Sequence, residues 1–104
     1  MRTTYFHILL ALHNGRRHGL GIADEVDANT SGSLRLGPGT LYRSLKEMSR
    51  EGLVQPVDAP PDSDPRRKFY TITEVGRNRL QAEARRFQQI VEIARRRRVL
   101  REAP

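Results

Sequence analysis

The sequence contains no cysteine among its 104 residues and has no long hydrophobic run. Without cysteine there are no disulfide bridges and no thiolate metal or redox chemistry, so a small secreted scaffold held by bridges is excluded. A cytoplasmic location is therefore expected. The longest uninterrupted apolar run, residues 8–12, is far shorter than the ~20 residues that a membrane-spanning helix needs. We therefore expect no transmembrane segment.

The charge is one-sided, with 19 lysine and arginine residues against 12 aspartate and glutamate residues and a formal net charge of +7. An excess of this size favours an anionic partner, either nucleic acid or a membrane surface. Nine of the basic residues lie in residues 74–104, so most of the excess is C-terminal. With 37% hydrophobic residues, a domain of this length has little core to spare, which suggests that a second copy completes part of it.

Two helical segments open the chain. Thr3 or Thr4 is expected to cap a first helix that ends near Gly15. Its apolar residues cover most of the helix circumference, so this helix must be buried on more than one side. A second helix, with an apolar stripe inside and acidic residues outside, is expected over residues 20–29.

A third helix is expected to begin at Pro38, with Gly37 as its cap, because proline fits the first turn of a helix. Leu41, Leu45 and Met48 follow at helical spacing and predict one buried stripe. The opposite, polar face is expected to consist of Thr40, Arg43, Ser44, Lys46, Glu47 and Arg50.

Gly52 is expected to end the third helix, and two extended stretches follow at residues 53–58 and 68–73. The loop between them contains three prolines, which forbid both helix and central strand. This pattern predicts a β-hairpin with a long, stiff loop. Tyr70 and Ile72 share one face of the second strand and are expected to face the core.

Thr73 is expected to cap a fourth helix that continues to about residue 100. A helix of this length is longer than so small a domain can cover, which favours a second copy of the chain as partner. The alternative is that its apolar seam folds back as core within one subunit. The seam follows coiled-coil spacing and consists of Leu80, Ala84, Phe87, Val91 and Ala94.

The order of three helices, a hairpin and a long helix predicts a mainly α fold with a small β-hairpin. The predicted fold is a winged helix-turn-helix domain over residues 1–73, followed by a C-terminal dimerisation helix with a basic tail over residues 74–104. In this architecture the third helix enters the major groove of double-stranded DNA and the hairpin loop, or wing, contacts the flanking backbone or minor groove. The expected DNA contacts are Gly39, Thr40, Tyr42, Arg43, Ser44, Lys46, Arg66, Arg67 and Lys68. For Tyr42, phosphate contact and packing beside the core are both open.

Four segments in order resemble the PadR-like family of transcriptional regulators. HGLGI at residues 18–22 is similar to the family's HGYGI, and LGPGTLYRSL at residues 36–45 to its LSPGTLYRAL. EGLV at residues 51–54 is similar to EGLI, and RRKFYTITEVG at residues 66–76 to RRKYYRLTxxG. The sequence departs from the family at Leu20, where tyrosine is frequent, and at Gly37, where serine makes a stronger cap.

The resemblance implies a homodimeric repressor that binds a palindromic operator and dimerises through its C-terminal helix, helped by the first helix. Phe6 and Leu9 would join the seam residues at that interface. The resemblance and their apolar character further suggest a small hydrophobic effector held near Phe6, Leu10 and Phe87. Some short family members stack flat aromatic ligands on a tryptophan, which this chain lacks.

The chain carries no sign of an active site, and neither a metal nor a cofactor is expected. The three histidines, His7, His13 and His18, are six and five residues apart, so no pair lies one helical turn apart as metal ligands would. The sequence contains no glycine-rich phosphate loop, nucleophile motif or plausible acid–base pair. The alternative function is a winged-helix protein-interaction module without DNA binding.

Overall fold

The computed structural model describes residues 1–100, which form four helices and three strands. In chain order these are α1 (Thr3–Leu12), β1 (Arg17–His18), α2 (Gly19–Asn29), α3 (Pro38–Arg50), β2 (Val54–Val57), β3 (Phe69–Ile72) and α4 (Glu74–Arg96). This order confirms the winged helix-turn-helix with an added C-terminal helix. Residues 101–104, the end of the predicted segment 74–104, lie outside the described residues.

Helix α1 forms the centre of the core and packs against α2, α3, α4 and β3. Ile8, Leu9 and Leu12 are completely enclosed there. The predicted threonine cap is wrong, because the helix already includes Thr3, and Arg2 occupies the N-cap position without a side-chain hydrogen bond. The helix also ends at Leu12, earlier than the sequence suggests.

The sheet has three antiparallel strands in the order β1-β3-β2, so the predicted hairpin is confirmed and gains a short third strand. In β1, His18 pairs with Phe69 across the sheet. The two rings meet edge to face with centroids 5.3 Å apart. Tyr70 and Ile72 are buried as expected, but Phe69 is buried too, because β1 covers it.

Helix α3 begins at Pro38 with Gly37 at the N-cap, as expected, and Leu41, Leu45 and Met48 are buried. It ends in a turn in which Gly52 takes a left-handed backbone conformation, with φ +76°. The amides after the helix bond back into its last turn, which is the Schellman arrangement that favours glycine. The placement of Ser44 on the exposed polar face is wrong, because its side chain is buried, with only 7% exposure.

Leu53 lies at the meeting point of α3, the hairpin and α4. Its amide donates to Met48 O at 2.9 Å, and its carbonyl accepts from Thr73 N at 3.0 Å. The Thr73 hydroxyl caps α4 by accepting from Gly76 N at 3.0 Å, as predicted. Gly76 packs directly on the Leu53 carbonyl, and a Cβ at that position would collide with it.

Helix α4 ends at Arg96, so the predicted extension to residue 100 is wrong. Arg97 is the C-cap, and Arg98 has φ +59°. The Val99 amide donates back to Ala94 O at 2.8 Å, closing the turn. This is the same type of helix end that glycine usually makes, here formed by arginine within a run of four like charges.

Candidate nucleic-acid interface

The outer face of α3 carries most of the side chains predicted to contact DNA. Thr40, Tyr42, Arg43 and Lys46 are exposed, as is Gly39. Within residues 1–100, neither Arg43 nor Lys46 takes part in a hydrogen bond or an ion pair. Charged side chains that are held by no protein partner can reach bases and phosphates without first breaking an internal contact.

Gly39 lies in the first turn of α3, and a Cβ placed on it would meet no atom within 4 Å. The fold therefore does not require glycine there for space. Tyr42 is half-exposed, and its hydroxyl lies over Gly19 at the start of α2, where a Cβ would come within 2.5 Å of it. The hydroxyl end of the ring thus packs over the start of α2, while about half of the residue remains exposed.

Glu47, on the same helix, is bound to α1. The Tyr5 hydroxyl donates a hydrogen bond to Glu47 Oε2, and Arg2 Nη1 lies 3.7 Å from the same oxygen. The hydrogen bond to Glu47, followed by burial and the nearby carboxylates, raises the pKa of Tyr5 from 10.0 to about 12. Because its charge is compensated, Glu47 repels DNA less than a free carboxylate would.

A cleft of about 370 Å³ separates the start of α1 from α3. Arg2 lines this cleft together with Thr40 and Arg43. Arg2 therefore adds a cation next to two predicted DNA contacts. Nothing in the sequence pattern indicated this, since Arg2 lies 41 residues from Arg43 in the chain and reaches it only through tertiary packing.

The wing carries three consecutive cations with three different surroundings. Arg66 forms two hydrogen bonds of 3.2 Å to the Asp64 carboxylate and holds the pKa of Asp64 below its usual range. Arg67 Nη1 lies 2.7 Å from His18 Nε2. Lys68 Nζ lies 5.7 Å from the centre of the Tyr70 ring. Exposed pairs such as Arg66 with Asp64 are weak, so all three cations can exchange these contacts for phosphate.

A second surface, on the opposite side of α1, is apolar. Phe6 and Phe87 meet edge to face with ring centroids 4.9 Å apart. Phe87 is 40% exposed and Ile90 is 50% exposed, and Leu10 is also exposed. Ala84 is exposed as well, whereas Val91 and Ala94 are half-buried.

Two residues predicted to contact a partner subunit do not belong to this surface. Leu9 has no exposed area and Leu80 is 5% exposed, because both fill the core of their own subunit. The alternative raised from the sequence, that the seam folds back as core, therefore holds for Leu80. It does not hold for the exposed residues further along α4.

Two features are absent from residues 1–100. No helix there is both long and apolar enough to cross a membrane. In the same residues, no group of three or more histidine, cysteine or acidic side chains is arranged to hold a metal ion.

A helix-turn-helix with a wing, both bearing exposed cations, defines the winged-helix transcriptional regulators. The chain belongs to the PadR-like family of transcriptional regulators, whose model matches residues 8–82. The match runs from the middle of α1 to residue 82 in α4 and so includes α3 and the wing.

Individual relatives agree with this assignment. The chain is similar to a PadR family transcription regulator from Clostridium difficile, with 25% identity, a TM-score of 0.71 and coverage of 88% of this chain and 96% of that one. It shares its fold with Bacillus subtilis PadR solved in complex with operator DNA, with 19% identity and a TM-score of 0.68. That similarity covers 99% of this chain and 50% of the other.

A further relative is an uncharacterised 37.1 kDa protein of transposon TN4556 from Streptomyces fradiae. The two sequences are 35% identical over 77 residues, which is 74% of this chain. The matched region spans only 21% of that relative's length.

Proposed function

We propose that this protein is a sequence-specific DNA-binding repressor that acts in the cytoplasm as a homodimer on a palindromic operator. The observation that carries the proposal is the exposed outer face of α3, where Arg43 and Lys46 have no protein partner among residues 1–100. The relative solved with operator DNA supports the same use of the fold.

In this proposal each side chain has a defined task. Thr40, Arg43 and Lys46 contact base edges and nearby phosphates in the major groove, because short polar and basic side chains on a groove-facing helix can reach both. Tyr42 donates its hydroxyl to a phosphate at the edge of that groove. Gly39 allows the DNA backbone to approach the start of α3 closely. The burial of Ser44 removes it from the set of direct contacts.

Dimerisation is proposed to use the apolar surface formed by Phe6, Leu10, Phe87, Ile90 and Ala94. Leu10, Phe87 and Ile90 are large apolar side chains that remain exposed, and exposed apolar side chains of this kind are typical of a surface that another protein covers. A two-fold dimer presents one copy of α3 to each half of a palindrome. The small hydrophobic effector is proposed to bind where Phe6 and Phe87 meet.

The decisive experiment begins with duplexes selected by the wild-type protein from a random pool. Binding to selected and random duplexes is then compared over a range of salt concentrations. Arg43→Ala is expected to reduce the preference for the selected duplex by about 5-fold or more, since a bidentate base contact discriminates by roughly 1–3 kcal/mol. Lys68→Ala is expected to weaken both duplexes equally and to reduce the salt slope by about 0.9.

Arg85→Ala is the matched control, because Arg85 is an exposed arginine of α4 that lies away from α3 and the wing. It should leave the preference for the selected duplex unchanged. If the wild-type protein selects no sequence and binds no duplex, the proposal is wrong, and the result favours a winged-helix protein-interaction module.

A further inference from the structure

A cleft lies between β1, the start of α2 and the wing. It has a volume of about 500 Å³, and its walls include Arg16, Arg17, His18, Asp64, Arg67 and Phe69. Three arginines and a histidine therefore surround one carboxylate. The cleft brings together two parts of the chain that no sequence pattern connects.

The hydrogen-bond pattern of His18 determines which ring nitrogen carries the proton. His18 Nδ1 accepts a hydrogen bond from Gly21 N at 3.1 Å and so caps α2. A backbone amide can only donate, so Nδ1 must offer its lone pair, and the proton of the neutral ring lies on Nε2. The edge-to-face contact with Phe69 holds the ring in this orientation.

Arg67 brings a second donor to the same point. Its Nη1 lies 2.7 Å from His18 Nε2, and a guanidinium has donors only. Two N–H groups therefore converge with no acceptor between them. This arrangement is unfavourable in the free protein and becomes favourable when one anionic oxygen beside the pair accepts a hydrogen bond from each donor.

The other charged groups around the cleft have contacts of their own. The carboxylate of Asp64 is held by Arg66. Arg17 donates to Ala11 O at 2.8 Å and lies 3.5 Å from Glu25, so it is held in place as a fixed cation. Arg16 has only a long contact of 3.5 Å to Asp58 O, which leaves it able to turn into the cleft.

We propose that His18 Nε2 and Arg67 together bind one phosphate group, and that this group belongs to the DNA backbone next to α3, the reading helix of the proposed complex. The proposal rests on the proposed DNA-binding function. In helix-turn-helix proteins the helix before the reading helix crosses the sugar–phosphate backbone, and His18 is the cap of that helix here. The wing and α2 thus hold the same phosphate from two sides.

The test is a double-mutant cycle on the duplex selected by the wild-type protein. His18→Asn keeps a side-chain oxygen at the N-cap but removes the donor that Nε2 supplies. Arg67→Gln removes the guanidinium. Each variant is expected to bind about 10-fold more weakly, since hydrogen bonds to a charged group are among the strong ones. The double variant should have at most about 2-fold lower affinity than the single variant that binds less tightly, because both groups act on one phosphate.

Methylphosphonate substitution locates the phosphate. Replacing one backbone phosphate at a time by a neutral group should reveal one position in each operator half where wild-type affinity falls about 10-fold and double-variant affinity does not change. Arg66→Gln, the neighbouring arginine in the wing, is the control for the cycle. Its effect should add fully to that of His18→Asn, since Arg66 faces Asp64.

Three outcomes overturn the proposal in distinguishable ways. The proposal that both residues bind the same phosphate is wrong if His18→Asn binds the selected duplex like the wild type. It is also wrong if the loss of affinity in His18→Asn adds fully to the loss in Arg67→Gln. In both cases the proposed DNA binding stands. If the wild type binds no duplex, the proposed function fails with it. If inorganic phosphate raises the melting temperature of the wild type but not of His18→Asn, and both bind DNA equally, the cleft takes a free anion.

Discussion

Tyr5 on α1 donates a hydrogen bond to Glu47 on α3, which joins the first helix to the reading helix. The next residue along α1, Phe6, packs on Phe87 of α4. Adjacent residues of one helix therefore contact the proposed DNA-reading element and the proposed dimer surface. A shift of α1 along its axis would be felt at both surfaces, since a rigid helix moves as a unit.

The Tyr5 to Glu47 contact gives a prediction for alkaline pH. Below pH 10 the phenol is protonated in both the folded and the unfolded chain. Between pH 10 and about 12 the unfolded chain loses this proton while the folded protein retains it, so stability falls as pH rises. Phenolate absorbance should show one of the three tyrosines titrating near pH 12.

Tyr5→Phe isolates this contribution. The wild type should be more stable than Tyr5→Phe below pH 10 and should lose that advantage as the pH approaches 12. Tyr42→Phe is the control, because the Tyr42 hydroxyl makes no hydrogen bond among the described residues. A stability difference between wild type and Tyr5→Phe that stays constant over this pH range would contradict the prediction.

Gly76→Ala is expected to destabilise the fold by about 1–3 kcal/mol, although alanine is the better helix former. The added methyl group would collide with the Leu53 carbonyl and with Ile72. Chemical denaturation measures the effect. If Gly76→Ala were as stable as the wild type, α4 would have to start further from the sheet than it does here.

Gly39→Ala separates folding from DNA binding. A Cβ at Gly39 has open space around it, so the free energy of unfolding should stay the same or rise by up to about 1 kcal/mol. If DNA approaches the start of α3 closely, affinity for the selected duplex should nevertheless fall by about 10-fold, as estimated for the loss of ~1.4 kcal/mol of contact. Unchanged affinity would show that Gly39 is not at the interface.

Phe87→Asp should abolish dimerisation, because moving a charged side chain from water into an apolar interface costs much free energy. Sedimentation or light scattering should show the wild type at twice the chain mass and the variant at the chain mass. Gln89→Asp is the control, since Gln89 lies on the opposite face of α4 and should not change the mass. A wild type that stays monomeric at concentrations that saturate DNA would contradict the proposed interface.

The elements with strong local signals were predicted well from the sequence. Pro38, Gly52 and Thr73 each act through the backbone within a few residues of themselves, so their effect can be recognised without the fold. Strand β1 has only two residues and forms because β3 is beside it, so the sequence shows no alternation of apolar and polar residues there. The end of α4 was missed because Arg98, not glycine, takes the left-handed conformation.

The predicted DNA contacts of α3 follow from residue type and helical face, and the structure leaves all of them exposed except Ser44. The prediction fails for Ser44, since a small polar side chain beside Leu45 turns inward as easily as outward. Arg2 and His18 were not among the predicted contacts. His18 reaches Arg67 across 49 residues of chain, and contacts of that kind depend on how the helices and sheet pack.

The hydrogen bonds of Leu53 have a consequence for the geometry of the whole regulator. Its amide holds the end of α3, and its carbonyl holds the start of α4. One residue, bonded through its backbone on both sides, therefore helps to set the angle between these helices. If α4 joins two subunits, this angle sets the distance between the two reading helices, and with it the number of base pairs between the operator halves. Changes near Leu53 would alter which operator spacing is accepted while leaving each half-site contact intact.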